Sequence, residues 1–136
     1  MKTYLVALSA LVLGACSGVS DSTWFFQGQV NNLNTTPAAA PEMEIEVIAS
    51  GAVAITGGVT TECWVDGVTL DGDRSGGTLT MTIERIAQEP CTDARTRHHT
   101  YLGIFSGLRP RDYTFRVINA MSGTPVVELE TILEVK

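Results

Sequence analysis

The chain predicts an all-β fold, an antiparallel sandwich of about seven or eight short strands, and three observations carry that reading. From Met43 onward apolar residues recur at every second position. Gly-rich turn signals separate the runs. Outside the first sixteen residues, no stretch long enough to be a helix shows apolar spacing of three and four.

Taken in order, Trp24 to Val30 holds three aromatics that are costly to leave in water, which predicts a first strand packed on the domain. Asn31 to Pro41 is Asn, Thr, Ala and Pro without apolar period, and reads as a linker. Met43, Ile45, Val47 and Ala49 alternate with Glu44, Glu46 and Ile48. Val53 and Ile55 follow Gly51, and Gly57-Gly58 then fits a tight hairpin turn. The next apolar run, Val59 to Val65, carries Cys63 and Trp64. Leu79, Met81 and Ile83 alternate with Thr78, Thr80, Thr82 and Glu84, the cleanest amphipathic strand in the chain. Tyr101 to Phe105 is apolar on both faces except at Gly103, as a central strand would be. Tyr113, Phe115 and Val117 alternate with Thr114 and Arg116. Val127, Leu129, Leu133 and Val135 alternate with Glu128, Glu130 and Glu134.

The N-terminus carries a different signal. Met1-Lys2 gives a positive start, Tyr4 to Leu13 is apolar except for Ser9, and Leu13-Gly14-Ala15-Cys16 follows. This resembles a bacterial lipoprotein signal, whose lipobox places small residues before a cysteine that is lipidated and becomes the new N-terminus. The apolar run is half the roughly 20 residues a membrane-spanning helix needs. A plain secretory signal cut elsewhere would not explain a cysteine at the lipobox position. The resemblance implies a signal over residues 1–15 and a lipid-anchored tether, with a possible first strand, over 16–41. The sandwich domain would occupy 42–136. It also implies several acyl chains on Cys16, enough for stable anchoring. Ser17 replaces the aspartate that retains such proteins in the inner membrane in enteric-type sorting, which points to the outer membrane. Asn34-Thr35-Thr36 matches a glycosylation sequon, without meaning beside a bacterial anchor.

Charge and cysteines narrow the class. Of nine Lys+Arg and 15 Asp+Glu, only Lys2 lies in residues 1–15, so the remainder is more acidic than the net −6 of the whole chain. That argues against nucleic acid as a partner. No basic residue stands between Thr3 and Asp73, whereas seven arginines and both histidines lie from Arg74 to Arg116. Past Cys16, two cysteines remain, Cys63 and Cys91. Export to an oxidising compartment predicts a disulfide between them, with two buried free thiols as the alternative.

One segment resembles a family. Gly107-Leu108-Arg109-Pro110-Arg111-Asp112-Tyr113-Thr114-Phe115-Arg116-Val117 is similar to the "G-L-x-P-G-x-Y-x-x-x-V" corner of immunoglobulin-like and prealbumin-like sandwiches, including carboxypeptidase-regulatory-like and Cna B-type domains. Phe26 to Val30 resembles their opening "G-x-V" strand. The resemblance implies an immunoglobulin-like sandwich in which a proline turn leads to a strand whose tyrosine packs at the corner. The chain departs from the pattern at Arg111, where the family has glycine. Cna B-type domains often cross-link a lysine to an asparagine. The only lysine past the signal is Lys136, so that chemistry is not expected.

No motif carries catalysis: there is no G-x-S-x-G, G-x-G-x-x-G, P-loop or HExxH. His98-His99 reads as a solvent-facing pair in a polar loop, poorly placed to share a metal because strand neighbours point to opposite faces. Asp71-Gly72-Asp73-Arg74-Ser75-Gly76-Gly77 partly matches a calcium loop. It lacks the acid at the twelfth position, where Thr82 stands, and a hairpin turn explains it better. No metal or cofactor is therefore expected. Arg95, Arg97, Arg109 and Arg111, with Arg116, are candidate contacts for an anionic ligand; cross-strand pairing with glutamates is the bland alternative. The expectation is an envelope lipoprotein with a non-catalytic binding or structural module, whose partners are the membrane and an envelope protein or carbohydrate. The alternative is a ligand- or metal-binding protein using residues 95–116 or 71–75. Weakest is an enzyme or enzyme inhibitor whose site lies in loops around Thr92–Thr100.

Overall fold

The computed structural model describes residues 23–33 and 41–136. The lipobox, Cys16, Ser17 and the Asn34 sequon lie outside the described residues. Eight strands follow one another: β1 (Phe25–Asn32), β2 (Glu44–Ala49), β3 (Ala52–Thr61), β4 (Gly67–Ser75), β5 (Thr78–Ile86), β6 (Arg97–Ser106), β7 (Arg111–Ala120) and β8 (Val126–Val135). They form two four-stranded sheets, β1-β6-β3-β2 and β4-β5-β7-β8. The alternating apolar residues meet between them. Val53, Ile55 and Phe105 come from the first sheet; Leu79, Met81, Ile83, Phe115 and Val117 come from the second. All are fully buried.

The aromatic run at Trp24 does build a strand. β1 pairs along the whole of β6, from Phe25↔Ser106 to Asn32↔His99, so the sandwich begins there, and Asn31 and Asn32 belong to the strand, not to the linker. β6 is central, between β1 and β3. Three expectations need correction. First, pairing is not antiparallel throughout, because β5 and β7 run parallel. The chain leaves β5, crosses to the other sheet as β6, and returns as β7 pointing the same way. Second, Gly57-Gly58 is not a turn but the middle of β3; the turn is at Ser50-Gly51, with Gly51 at φ 73°. A side chain at Gly57 would come within 2.4 Å of the Tyr101 hydroxyl, and one at Gly58 within 2.6 Å of Pro41. These glycines serve close approach. Third, Asp71 to Ser75 belongs to a strand, β4, which the alternation did not reveal; the turn is Gly76-Gly77 alone.

The strand expected after the proline turn is present as β7. Tyr113 is fully buried at its start, and its hydroxyl donates to the Arg109 carbonyl at 3.0 Å. Phe105 joins the sheets. Its ring centroid lies 4.9 Å from Phe26 on its own sheet and 5.9 Å, edge-on, from Phe115 on the other. Phe26 fits because β4 has glycine beneath it: a Cβ at Gly72 would lie 2.2 Å from Phe26 Cγ. Gly72→Ala should therefore cost about 1–3 kcal/mol by overpacking, read as a lowered urea midpoint. Gly67→Ala, whose methyl would meet Ile86 at an ordinary 3.6 Å, is the control. The Gly72 penalty should shrink in a Phe26→Leu background, because the clash is with that ring.

Candidate functional site

Chemistry-bearing side chains gather at the two ends of the sandwich. At one end the chain passes between sheets twice, from β3 to β4 through residues 62–66 and from β5 to β6 through residues 87–96. The Cys63–Cys91 disulfide joins these two crossovers, with Cα atoms 6.0 Å apart. Trp64 N–H donates to the Asp93 carbonyl at 2.7 Å, and Arg97 donates to the Trp64 carbonyl at 3.0 Å. Above the indole lie the guanidinium groups of Arg95 and Arg97, at 4.5 and 5.0 Å from the ring centroid. Arg95 also forms a two-pronged pair with Asp93, at 2.9 and 2.6 Å. Hydrogen bonding from Arg95 holds the Asp93 carboxyl below the usual carboxylate range. Asp66 is buried, accepting from the Gln88 amide at 2.8 Å and facing Arg85 at 3.4 Å.

His99 corrects its expected placement. It is in strand β6 and only 1% exposed, not in a polar loop. Its Nδ1 lies 2.6 Å from Asn32 Oδ1 and its Nε2 3.0 Å from Thr61 Oγ1, so one ring ties β1, β6 and β3 together. The amide oxygen can only accept, so Nδ1 carries the proton; the one Thr61 hydroxyl proton is then shared between Nε2 and the Cys63 carbonyl, 3.2 Å from the same oxygen. Burial first, then the charges of Arg97 and His98, lowers the His99 pKa. His98, as a strand neighbour, points to the other face.

The opposite end is built from Gly51, the 107–110 turn and the termini of β4, β7 and β8. Gly51 N–H donates to the Lys136 carbonyl at 2.9 Å, and Leu108 N–H donates to the Gly51 carbonyl at 3.0 Å. Arg74 and Arg111 lie over the Tyr113 ring, 5.5 and 5.3 Å from its centroid. Arg109 and Lys136 are exposed beside them.

The four candidate arginines are thus divided. Arg95 and Arg97 precede or begin β6, whereas Arg109 and Arg111 follow its far end. Ten residues of strand span about 30 Å, so they cannot line one pocket. Arg116 pairs with Glu130 across β7 and β8 at 3.0 Å. Asp71 and Asp73 project from one face of β4 rather than encircling a loop, which removes the geometry a calcium loop requires. Among the described residues no three His, Cys, Asp or Glu converge on a metal position. The sequence reading missed Trp64 as the centre of a cluster and Arg74 and Lys136 as partners of the 109–111 segment. A tryptophan beside a disulfide cysteine, with arginines two apart elsewhere, was the available signal for the first; nothing local signalled the second. No family model, curated protein or solved structure matches the chain.

Two outcomes test this end. Cys63→Ala with Cys91→Ala should lower unfolding free energy by about 2–5 kcal/mol in denaturant titration. For His99, the unfolded chain takes up a proton as pH falls through about 6.5 and the folded chain does so only lower down. Its contribution is therefore complete above that pH and is lost as pH falls toward the folded value. The urea midpoint should drop between pH 8 and pH 5.5, at roughly those settings, more in the native protein than in His99→Gln.

Proposed function

We propose that the chain is an envelope lipoprotein in which a non-catalytic β-sandwich, serving binding or structure, is held at a membrane by acyl chains on Cys16. The observation that carries it is Leu13-Gly14-Ala15-Cys16 at the end of the apolar run. Three features support it. Only a short stretch separates Cys16 from β1 at Phe25, as suits a tether and a domain. The disulfide suits an oxidising compartment. The Tyr113 hydroxyl bonded back to Arg109 supports placing the domain with immunoglobulin-like and prealbumin-like sandwiches. Ser17 favours the outer membrane. An envelope protein or carbohydrate is the kind of partner such a module takes, and the acidic balance disfavours nucleic acid. Anion binding by the arginines together loses ground, since they stand at opposite ends and Arg95 is already paired with Asp93.

In cells, globomycin should cause the precursor to accumulate, and Cys16→Ser should release the domain from membranes. A Cys16→Ser protein that still fractionates with membrane after a high-salt wash, without another partner, would overturn the reading.

A further inference from the structure

We infer that the sandwich rests on an anionic phospholipid surface through the end at which its tether joins, with Arg109, Arg111 and Lys136 toward the headgroup phosphates. The inference rests on the reading that Cys16 carries lipid. Its first support is where the chain enters. The Gly107 turn, at φ 72°, lies so close to Thr23 that a side chain there would come within 2.6 Å of the Thr23 carbonyl. Thr23 therefore enters beside Leu108, Gly51 and Lys136, which the backbone hydrogen bonds already join.

The second support is reach. Seven peptide units from Cys16 to Thr23 extend at most about 25 Å. The ten-residue strands run about 33 Å. A tether shorter than the domain cannot let the disulfide end point at the membrane.

The third support is charge and surface chemistry. Past residue 15 the chain carries a large excess of acid, yet this end gathers Arg74, Arg109, Arg111 and Lys136. The acids among the described residues there are Asp73, beside Arg74, with Asp112 and Glu134, and Glu134 pairs with Lys136 at 3.0 Å. Arg74 and Arg111 cap the core over Tyr113. Beside the cations are exposed apolar side chains, Phe25 at 51% and Ile48 at 47%. Cations attract anionic headgroups within a Debye length, and apolar rings settle at the interface below them.

The two tryptophans mark the two ends and supply the test. Trp24 stacks toward Phe105 at the tether end, and Trp64 lies under Arg95 at the other. Lipidated full-length protein is reconstituted in vesicles of phosphatidylcholine, with or without about 30% phosphatidylglycerol, in each case with brominated lipid as quencher. Trp64→Phe leaves Trp24 as reporter, and Trp24→Phe leaves Trp64. Flotation and intact mass report the anchor separately. The expected result is co-flotation in both lipids, with quenching of Trp24 alone and only with the anionic lipid. That quenching should be lost in Arg109→Gln/Arg111→Gln and, without any change at the arginines, in about 0.5 M salt. Co-flotation with Trp24 unquenched, with equal quenching in neutral lipid, or with Trp64 quenched instead would overturn the docking and leave the anchor standing. A protein without lipid on Cys16 would overturn both.

Discussion

β3 and β6 are hydrogen-bonded neighbours, yet everything from residue 62 to residue 96 lies between them and belongs mostly to the other sheet. The hairpin of β4 and β5 leaves through one crossover and returns through a second, so the sandwich depends on closing that neck. Cys63–Cys91 closes it covalently, which on the chain-entropy model removes about 3.5 kcal/mol of freedom from the unfolded chain. The hydrogen bond from Trp64 to Asp93 and the seat of Asp66 under Gln88 and Arg85 fix the same two segments. With the neck fixed, β5 can lie parallel to β7, and β6 can place Phe105 between Phe26 and Phe115.

The alternation of β5, β7 and β8 was legible because each has one face on the core and one in water, which is the condition for a period of two. The disulfide was legible from the cysteine count together with the compartment that the N-terminal resemblance implies, and the corner at Tyr113 from the local run Gly107 to Val117. What stayed hidden depended on contacts distant in sequence. Gly57 and Gly58 look like a turn until Tyr101 and Pro41 are seen to occupy their side-chain space. β4 was masked because its inward positions include Gly72 and Arg74: the first yields to Phe26, and the second caps Tyr113. His99 looks like a loop residue beside His98, and only Asn32 and Thr61, from other strands, make its burial tolerable.

The sequence offered the arginines as one group and did not show that they stand at two ends. Arginines 95, 97, 109 and 111 are close in sequence, but a whole strand intervenes, and a strand carries the chain from one end of a sandwich to the other. Sequence proximity is therefore a poor guide to shared surface in this fold.

The same geometry orders the charge. The four edge strands carry acids or amides on their outward faces: Gln27 and Gln29 on β1, Glu44 and Glu46 on β2, Asp71 and Asp73 on β4, Glu130 and Glu134 on β8. β2 is further broken by a bulge at Ile48. The acidic edges of β2, β4 and β8 repel one another in a second copy, and a bulge spoils the ladder that β2 would need, so sideways pairing through those strands is opposed. The cations meanwhile sit mostly at the ends, where crossovers and turns place them: Arg85, Arg95 and Arg97 at the disulfide end, and Arg74, Arg109, Arg111 and Lys136 at the end where Thr23 leads into β1. At the disulfide end Arg85 and Arg95 are paired with Asp66 and Asp93. A body with acidic sides and cationic ends meets an acidic surface more easily end-on than along its flanks. Which end does so is then decided by where the chain enters.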